Sequence, residues 1–195
     1  MTPDERVLCI PADHFRAVGA FTGFRPADPD YARDLLAPSA FSYQPRSACE
    51  TDPAFLQLIP YVVLTCGGTV FHYRRGAGGT EARLRAKRSV GIGGHISDAD
   101  ADAADPYRAG MLRELAEEVD VRGDYAERFL GLIFDPSTPV GEVHLGLVHR
   151  FELARPDVTA RESGIADGGF APVPALLAAS GDFETWSQLV LEALG

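Results

Sequence analysis

The chain has 195 residues, 46% of them apolar, and a formal net charge of −10. That length supports one domain with a sizeable core, and the acidic balance argues against a nucleic-acid backbone or an anionic membrane as the main partner, since both favour a basic surface. Cys9, Cys49 and Cys66 lack metal-ligand spacing and fit a reduced cytoplasm, and neither a signal-peptide pattern nor a run approaching about 20 apolar residues is present.

Residues 1–58 read as a mixed lead-in: a strand at 7–11, a turn-rich section at 21–29, a short helix at 31–36, then a connection containing Pro and Ser. We expect this segment to pack on the core as an extension, an interface or a lid. Arg46, Glu50 and Gln57, near its end, could reach a substrate, with solvated surface as the plainer reading. From residue 59 the pattern changes to strands. Residues 60–66 are apolar and rich in β-branched side chains, Gly67-Gly68 can turn, and 69–74 returns as a hairpin partner. A loop tip is expected at 76–80. Arg83, Arg85, Lys87 and Arg88 then form the only basic concentration, able to contact phosphates or simply to offset acidic surface. A strand at 89–96 runs into Gly93-Gly94, where the backbone can turn sharply or approach a ligand closely.

After an acidic, alanine-rich segment at 98–105, Asp105-Pro106 reads as a helix start, because the aspartate can accept a free backbone N–H and proline is pre-set for the first helical position. On a 3.6-residue period Leu112, Leu115 and Val119 share one side, with Met111 and Ala116 at its edges, and Glu114, Glu117 and Glu118 cluster on the other. Like charges three and four residues apart cost an isolated helix about 0.2–0.5 kcal/mol per pair. Arg113 can relieve that, and so can a hard divalent cation; a merely solvated acidic face is the bland alternative. Strands follow at 128–135 and 143–153, a loop at 159–169, a short strand at 170–173, a helical turn at 174–179 and a closing helix at 183–194. His144 and His149, five apart on one strand, fall on opposite faces, which argues against a zinc pair. Trp186 and Tyr107 read as packing residues. Strands interleaved with separated helices give an α/β class, with a mixed sheet sandwiched by helices.

Arg113-Glu114-Leu115-Ala116-Glu117-Glu118, preceded by Gly93-Gly94-His95-Ile96, resembles the signature of the Nudix (MutT-type) hydrolases, in particular their bacterial branch of predicted phosphoesterases. Softer likeness extends over residues 50–190. Three departures stand out: Gly94 to Arg113 is five residues longer than usual, the acidic residue eight before the arginine is Asp105 rather than Glu, and the glycine after the helix is replaced by Asp120. An aspartate there would have to adopt a left-handed backbone, which it tolerates better than most residues.

The resemblance implies an α/β/α sandwich with residues 59–195 as the Nudix domain, binding Mg2+, with Mn2+ as a substitute. Glu117 and Glu118 would ligate the cation, Glu114 would ligate or act as a base, and the Gly94 carbonyl would complete the shell. Arg113 would orient the glutamates. Glu162, on a late loop, is the candidate general base, and Arg46, Arg85, Arg88 and His95 are candidate substrate contacts. The implied activity is Mg2+-dependent hydrolysis of a diphosphate linkage in a nucleoside diphosphate joined to a further moiety X, a small anionic nucleotide-type substrate; homodimers are common in the family. The alternatives are a non-catalytic nucleotide-binding or regulatory domain on the same fold, and an isoprenoid-diphosphate isomerase, for which no supporting cysteine–glutamate pattern is present.

Overall fold

The structure, a computed structural model, describes residues 4–76, 87–161 and 163–195. Residues 77–80 of the loop tip expected at 76–80, together with Arg83, Arg85 and Glu162, lie outside the described residues. A large mixed sheet organises the rest. Its central strand, β4 (Phe55–Cys66), is flanked by β5 (Thr69–Arg75) across the Gly67-Gly68 turn and by β10 (His144–Leu153). The pairing of β4 with β10 is parallel and unbroken, with Gln57 opposite His144 and Thr65 opposite Glu152. The sheet continues through β9 (Tyr125–Phe134) to β2 (Gly23–Pro26) on one side and to β12 (Ile165–Pro172) on the other. A central strand covered on both faces should be apolar along its length, and β4 is so over residues 58–64: Tyr61 and Val63 join the cluster under the C-terminal helices, and Val62 and Leu64 join the one under α4 (Pro106–Glu118).

The N-terminal segment builds part of this sheet. β1 (Arg6–Pro11) pairs with β4 and with β3 (Ser42–Pro45). Helices α1 (Ala12–Gly19) and α2 (Pro29–Leu35) bring Phe15, Tyr31 and Leu35 into one buried cluster with Leu56, Leu58, Leu145 and Leu147. A short helix, α3 (Arg46–Cys49), then leads into β4, and the brief strands β6 (Arg88–Ser89) and β7 (Gly91–Ile92) pair with β5 and β4 respectively.

Three expectations are corrected here. The chain leaves α4 through Val119 with extended torsions, φ −140° and ψ 154°, directly into β8 (Val119–Val121), which pairs with β11 (Val158–Ala160). Asp120 therefore lies in a strand and needs no left-handed backbone. The polar stretch at 159–169 contains strand rather than loop alone: β11 and β12 occupy its two ends. Gly168 and Gly169 sit at a ladder irregularity between Ala166 and Gly169, where Asp167 takes φ 52°. Gln57 is wholly buried in β4 instead of solvated, with neither amide atom partnered. The closing elements are α5 (Val173–Ala178) and α6 (Thr185–Leu194), whose Leu176, Val190 and Leu191 cover Val63, Ile133 and Val148. Among the described residues no helix is long and apolar enough to cross a membrane.

Candidate active site

Helix α4 starts where the sequence places it, with the Asp105 carboxylate accepting the Arg108 backbone N–H at 3.0 Å and Pro106 in the first turn. Its buried ridge is Gly110, Met111 and Leu115, with Leu112 half-buried and Ala116 exposed, so the apolar face is turned slightly from the expected one. Burying Met111 and Leu115 is worth about 1.5–3 kcal/mol each, which fixes the orientation of the opposite face. There Glu114 and Glu118, four residues apart, line one cavity of about 660 Å3. Glu117 does not line it: its side chain is half-exposed and accepts from Arg113 at 3.3 Å. Among the described residues no group of three or more His, Cys, Asp or Glu side chains is gathered so as to hold a metal ion.

The glycine pair has a specific task. A methyl group on Gly94 would lie 2.1 Å from Glu114 Oε2, and one on Gly93 would lie 1.7 Å from the Pro60 carbonyl oxygen. Glycine at both positions lets this loop press against β4 on one side and against the Glu114 carboxylate on the other. Burial raises the pKa of Glu114, with the neighbouring Arg113 opposing the rise.

Arg113 is the hub. Its Nε and Nη2 donate to the two Asp100 oxygens at 3.1 and 3.0 Å, Nη2 also to the His95 carbonyl at 3.0 Å, and Nη1 to Glu114 at 2.7 Å. Asp105, eight residues before the arginine, is thus occupied as the helix cap, and the acidic partner of Arg113 is Asp100, six residues after Gly94. The extra five residues lie between Asp100 and Arg113. Asp100 sits on a single helical turn capped by Ser97, whose backbone N–H donates to Asp100 Oδ2 at 3.0 Å. Burial by itself would raise the pKa of Asp100, but its bonds to Arg113 and Ser97 hold it below the usual carboxylate range. The turn fits because residue 110 is glycine: a methyl there would come within 2.7 Å of Asp100 Oδ2 and of Ile96 Cδ1. The Ser97-x-x-Asp100 spacing, a capping box, was the signal in the sequence for this residue.

The other candidates divide. Arg46 and His95 line the cavity, and Arg46 is held by Glu5 at 2.8 Å and Glu50 at 3.1 Å. His95 Nε2 is buried without a partner, and burial, together with the charges of Arg46 and His144, lowers its pKa to about 3. His95 is therefore neutral. Its ring faces that of His144 at 5.6 Å, and His144 Nδ1 donates to the Val140 carbonyl at 2.6 Å. Arg88 does not reach the cavity; it reaches the His72 ring at 2.9 Å and lies over Phe183. Tyr107 is a packing residue, hydrogen-bonded through its hydroxyl to His149 at 3.0 Å. His149 and His144 do take opposite faces of β10.

Composition and spacing had not flagged four further residues that line the cavity, Tyr61, Arg75, Glu184 and Trp186. Trp186 both packs, edge-on to Tyr61 at 5.6 Å and over Gly146, and lines the cavity. Glu184 and Trp186 belong to the closing ETWS, where only the softer likeness pointed.

No family model matches the sequence. Among curated proteins the chain is 34% identical over 203 residues to Protein YmaB of Bacillus subtilis (strain 168), with 98% of each covered. Among solved structures it is similar to Tm1382, a candidate Nudix hydrolase, with a TM-score of 0.79 and 29% identity over 97% of this chain and 98% of that one. It also resembles the NUDIX domain of Shewanella oneidensis NrtR, crystallised with ADP ribose, at a TM-score of 0.55 over 86% of this chain and 96% of that one. At 14% identity, that second structural likeness concerns the fold alone.

Proposed function

The chain belongs to the Nudix superfamily, and on that footing we propose that it is a divalent-cation-dependent hydrolase of a diphosphate linkage in a nucleoside diphosphate joined to a moiety X. The observation that carries this reading is the pair Glu114 and Glu118, set side by side on one cavity wall, with Glu114 braced between Gly94 and Arg113. Two carboxylates suffice for Mg2+, which keeps several waters and completes its shell with substrate phosphates. The donor set fits on that count, and a half-buried carboxylate against a glycine backbone is a fitting cradle for a small hard cation. Glu114, Glu118 and the Gly94 carbonyl would hold it, with Glu117 left outside on the helix face.

A divalent cation held by these residues would supply charge neutralisation to the phosphate oxygens. The remaining work falls to side chains. Arg113 keeps Glu114 in place through charge-assisted hydrogen bonds. A carboxylate must take the proton of the attacking water; Glu114 is one candidate and Glu162 the other, the latter in the segment whose Gly164 borders Glu118. His95, neutral and with Nε2 unpartnered, can exchange a hydrogen bond with a hydroxyl of the substrate without adding charge.

The test is monophosphate release from nucleotide sugars, dinucleotides, nucleoside triphosphates and ADP-ribose, with and without Mg2+. Cation-dependent release from one class supports the hydrolase. The second reading, a binding domain without turnover, draws on the outward position of Glu117; tight cation-independent binding of one compound with no release would favour it.

A further inference from the structure

The cavity lining includes a buried carboxylate that the reaction as described leaves unused. Glu184 immediately precedes α6, in the N-cap position, yet its side chain does not cap the helix. It turns inward instead. Its Oε1 accepts from Ser89 Oγ at 2.6 Å and from the Tyr61 hydroxyl at 3.1 Å, and its Oε2 accepts from Arg75 Nε at 3.0 Å, with Arg75 Nη2 also 3.0 Å away. The Glu184 side chain is 7% exposed and that of Arg75 is 35% exposed. Ser187 completes the support, bonding the Tyr61 hydroxyl at 2.8 Å and accepting the Val90 N–H at 3.0 Å.

This network leaves Arg75 half committed. Two of its three nitrogens are fixed on Glu184, and Nη1 makes no hydrogen bond among the described residues although Arg75 lines the cavity. An ion pair removed from water costs desolvation that its own attraction only partly returns, so a carboxylate braced by two hydroxyl donors behind one arginine is a costly stabiliser and an efficient holder. A guanidinium clamped side-on is pre-organised, losing little rotamer freedom when it meets an anion. The place is also apt. Arg75 ends β5, the next residue, Gly76, donates its N–H to the Gly164 carbonyl at 2.8 Å, and Gly164 borders the Glu118 carboxylate. Arg46, the other arginine on the described cavity wall, is shared between two carboxylates and stands with Glu5 and His95.

We propose that Arg75, clamped by Glu184, is a phosphate-binding residue of this cavity, fixing one phosphate of the diphosphate beside Glu118, and that Glu184 is its positioning residue. The identity of the ligand as a diphosphate ester rests on the hydrolase reading; the anion clasp does not.

Calorimetric titration with inorganic pyrophosphate in Mg2+ tests it, on wild type, Arg75→Ala, Arg75→Lys, Glu184→Gln and the double variant Arg75→Ala/Glu184→Gln, each checked for folding by circular dichroism. Loss of a charge-assisted contact should weaken binding about 10- to 100-fold in Arg75→Ala. Arg75→Lys should recover part of that, and Glu184→Gln should weaken binding in the same direction. In the double variant Glu184→Gln should add nothing to Arg75→Ala, because its effect passes through the arginine. Wild-type affinity in Arg75→Ala would overturn the proposal, and so would failure of the wild-type protein to bind pyrophosphate. Additive losses in the double variant would remove the positioning role of Glu184. Arg75-dependent binding without hydrolysis of any compound would leave the clasp standing and refute the hydrolase. Hydrolysis with KM and kcat unchanged in Arg75→Ala would do the reverse.

Discussion

Replacing Gly94 with alanine should separate catalysis from folding. The added methyl would stand 2.1 Å from Glu114 Oε2 and 2.5 Å from its carboxyl carbon, where ordinary contact begins at 3.4 Å, so the carboxylate must retreat by about 1.3 Å. The obstacle is the end of a side chain rather than backbone, and the φ of Gly94 is not in the left-handed region, so the backbone has no reason to object. Misplacement of a reacting or ligating group by about 1 Å can cost about 100-fold in rate. Gly94→Ala should therefore lose about two orders of magnitude in kcat on whichever substrate the panel identifies. Mn2+ affinity, followed by electron paramagnetic resonance, should fall as well, while Tm moves by no more than about 4 °C. Wild-type turnover and Mn2+ binding in this variant would refute the close packing of the glycine loop on Glu114.

Other expectations can be checked alongside. Gly110→Ala removes a glycine from a helix interior, which by propensity alone would stabilise by about 1 kcal/mol; because its methyl would meet Asp100 and Ile96 at 2.7 Å, net destabilisation is expected in urea unfolding, and stabilisation would contradict the fit of the Asp100 turn. Arg113→Ala leaves the buried Asp100 uncompensated and should cost about 2–3 kcal/mol together with most of the activity, measured by denaturation and by rate. The depressed pKa of Asp100 contributes stability that is present above the ordinary carboxylate range and lost as pH falls through its lowered folded value; Asp100→Asn should flatten that acid limb of the stability–pH curve, and an unchanged limb would show that Asp100 does not contribute. Trp186, the only tryptophan, lies on the cavity wall, so nucleotide binding should change intrinsic fluorescence; binding by calorimetry with a silent spectrum would place the ligand elsewhere.

Local chemistry accounts for what could be read from the sequence. The Asp105-Pro106 start, the glutamate face and the apolar run of β4 each follow from interactions within a few residues, and all three are present. Asp100 was harder to see, because its partner is thirteen residues away across an insertion and the cap at Asp105 satisfied the expected spacing equally well. The pairing of Arg75 with Glu184 was invisible for a deeper reason. Arg75 and Glu184 are 109 residues apart and meet only when β5 and the start of α6 converge on the sheet. Gln57 read as surface because its polarity was weighed without the strand that buries it, and Glu117 read as a metal ligand because a helical wheel groups three glutamates, of which Glu117 is turned out of the cavity onto Arg113.

The most direct measurement compares wild type with Glu118→Gln for Mg2+-dependent release of a nucleoside monophosphate from the best compound of the substrate panel. A fall of about 100- to 1,000-fold in the variant, with an unchanged circular dichroism spectrum, is the expected result, since the substitution removes a charge and leaves the helix intact. Equal rates in the two proteins would contradict the role assigned to the α4 carboxylates.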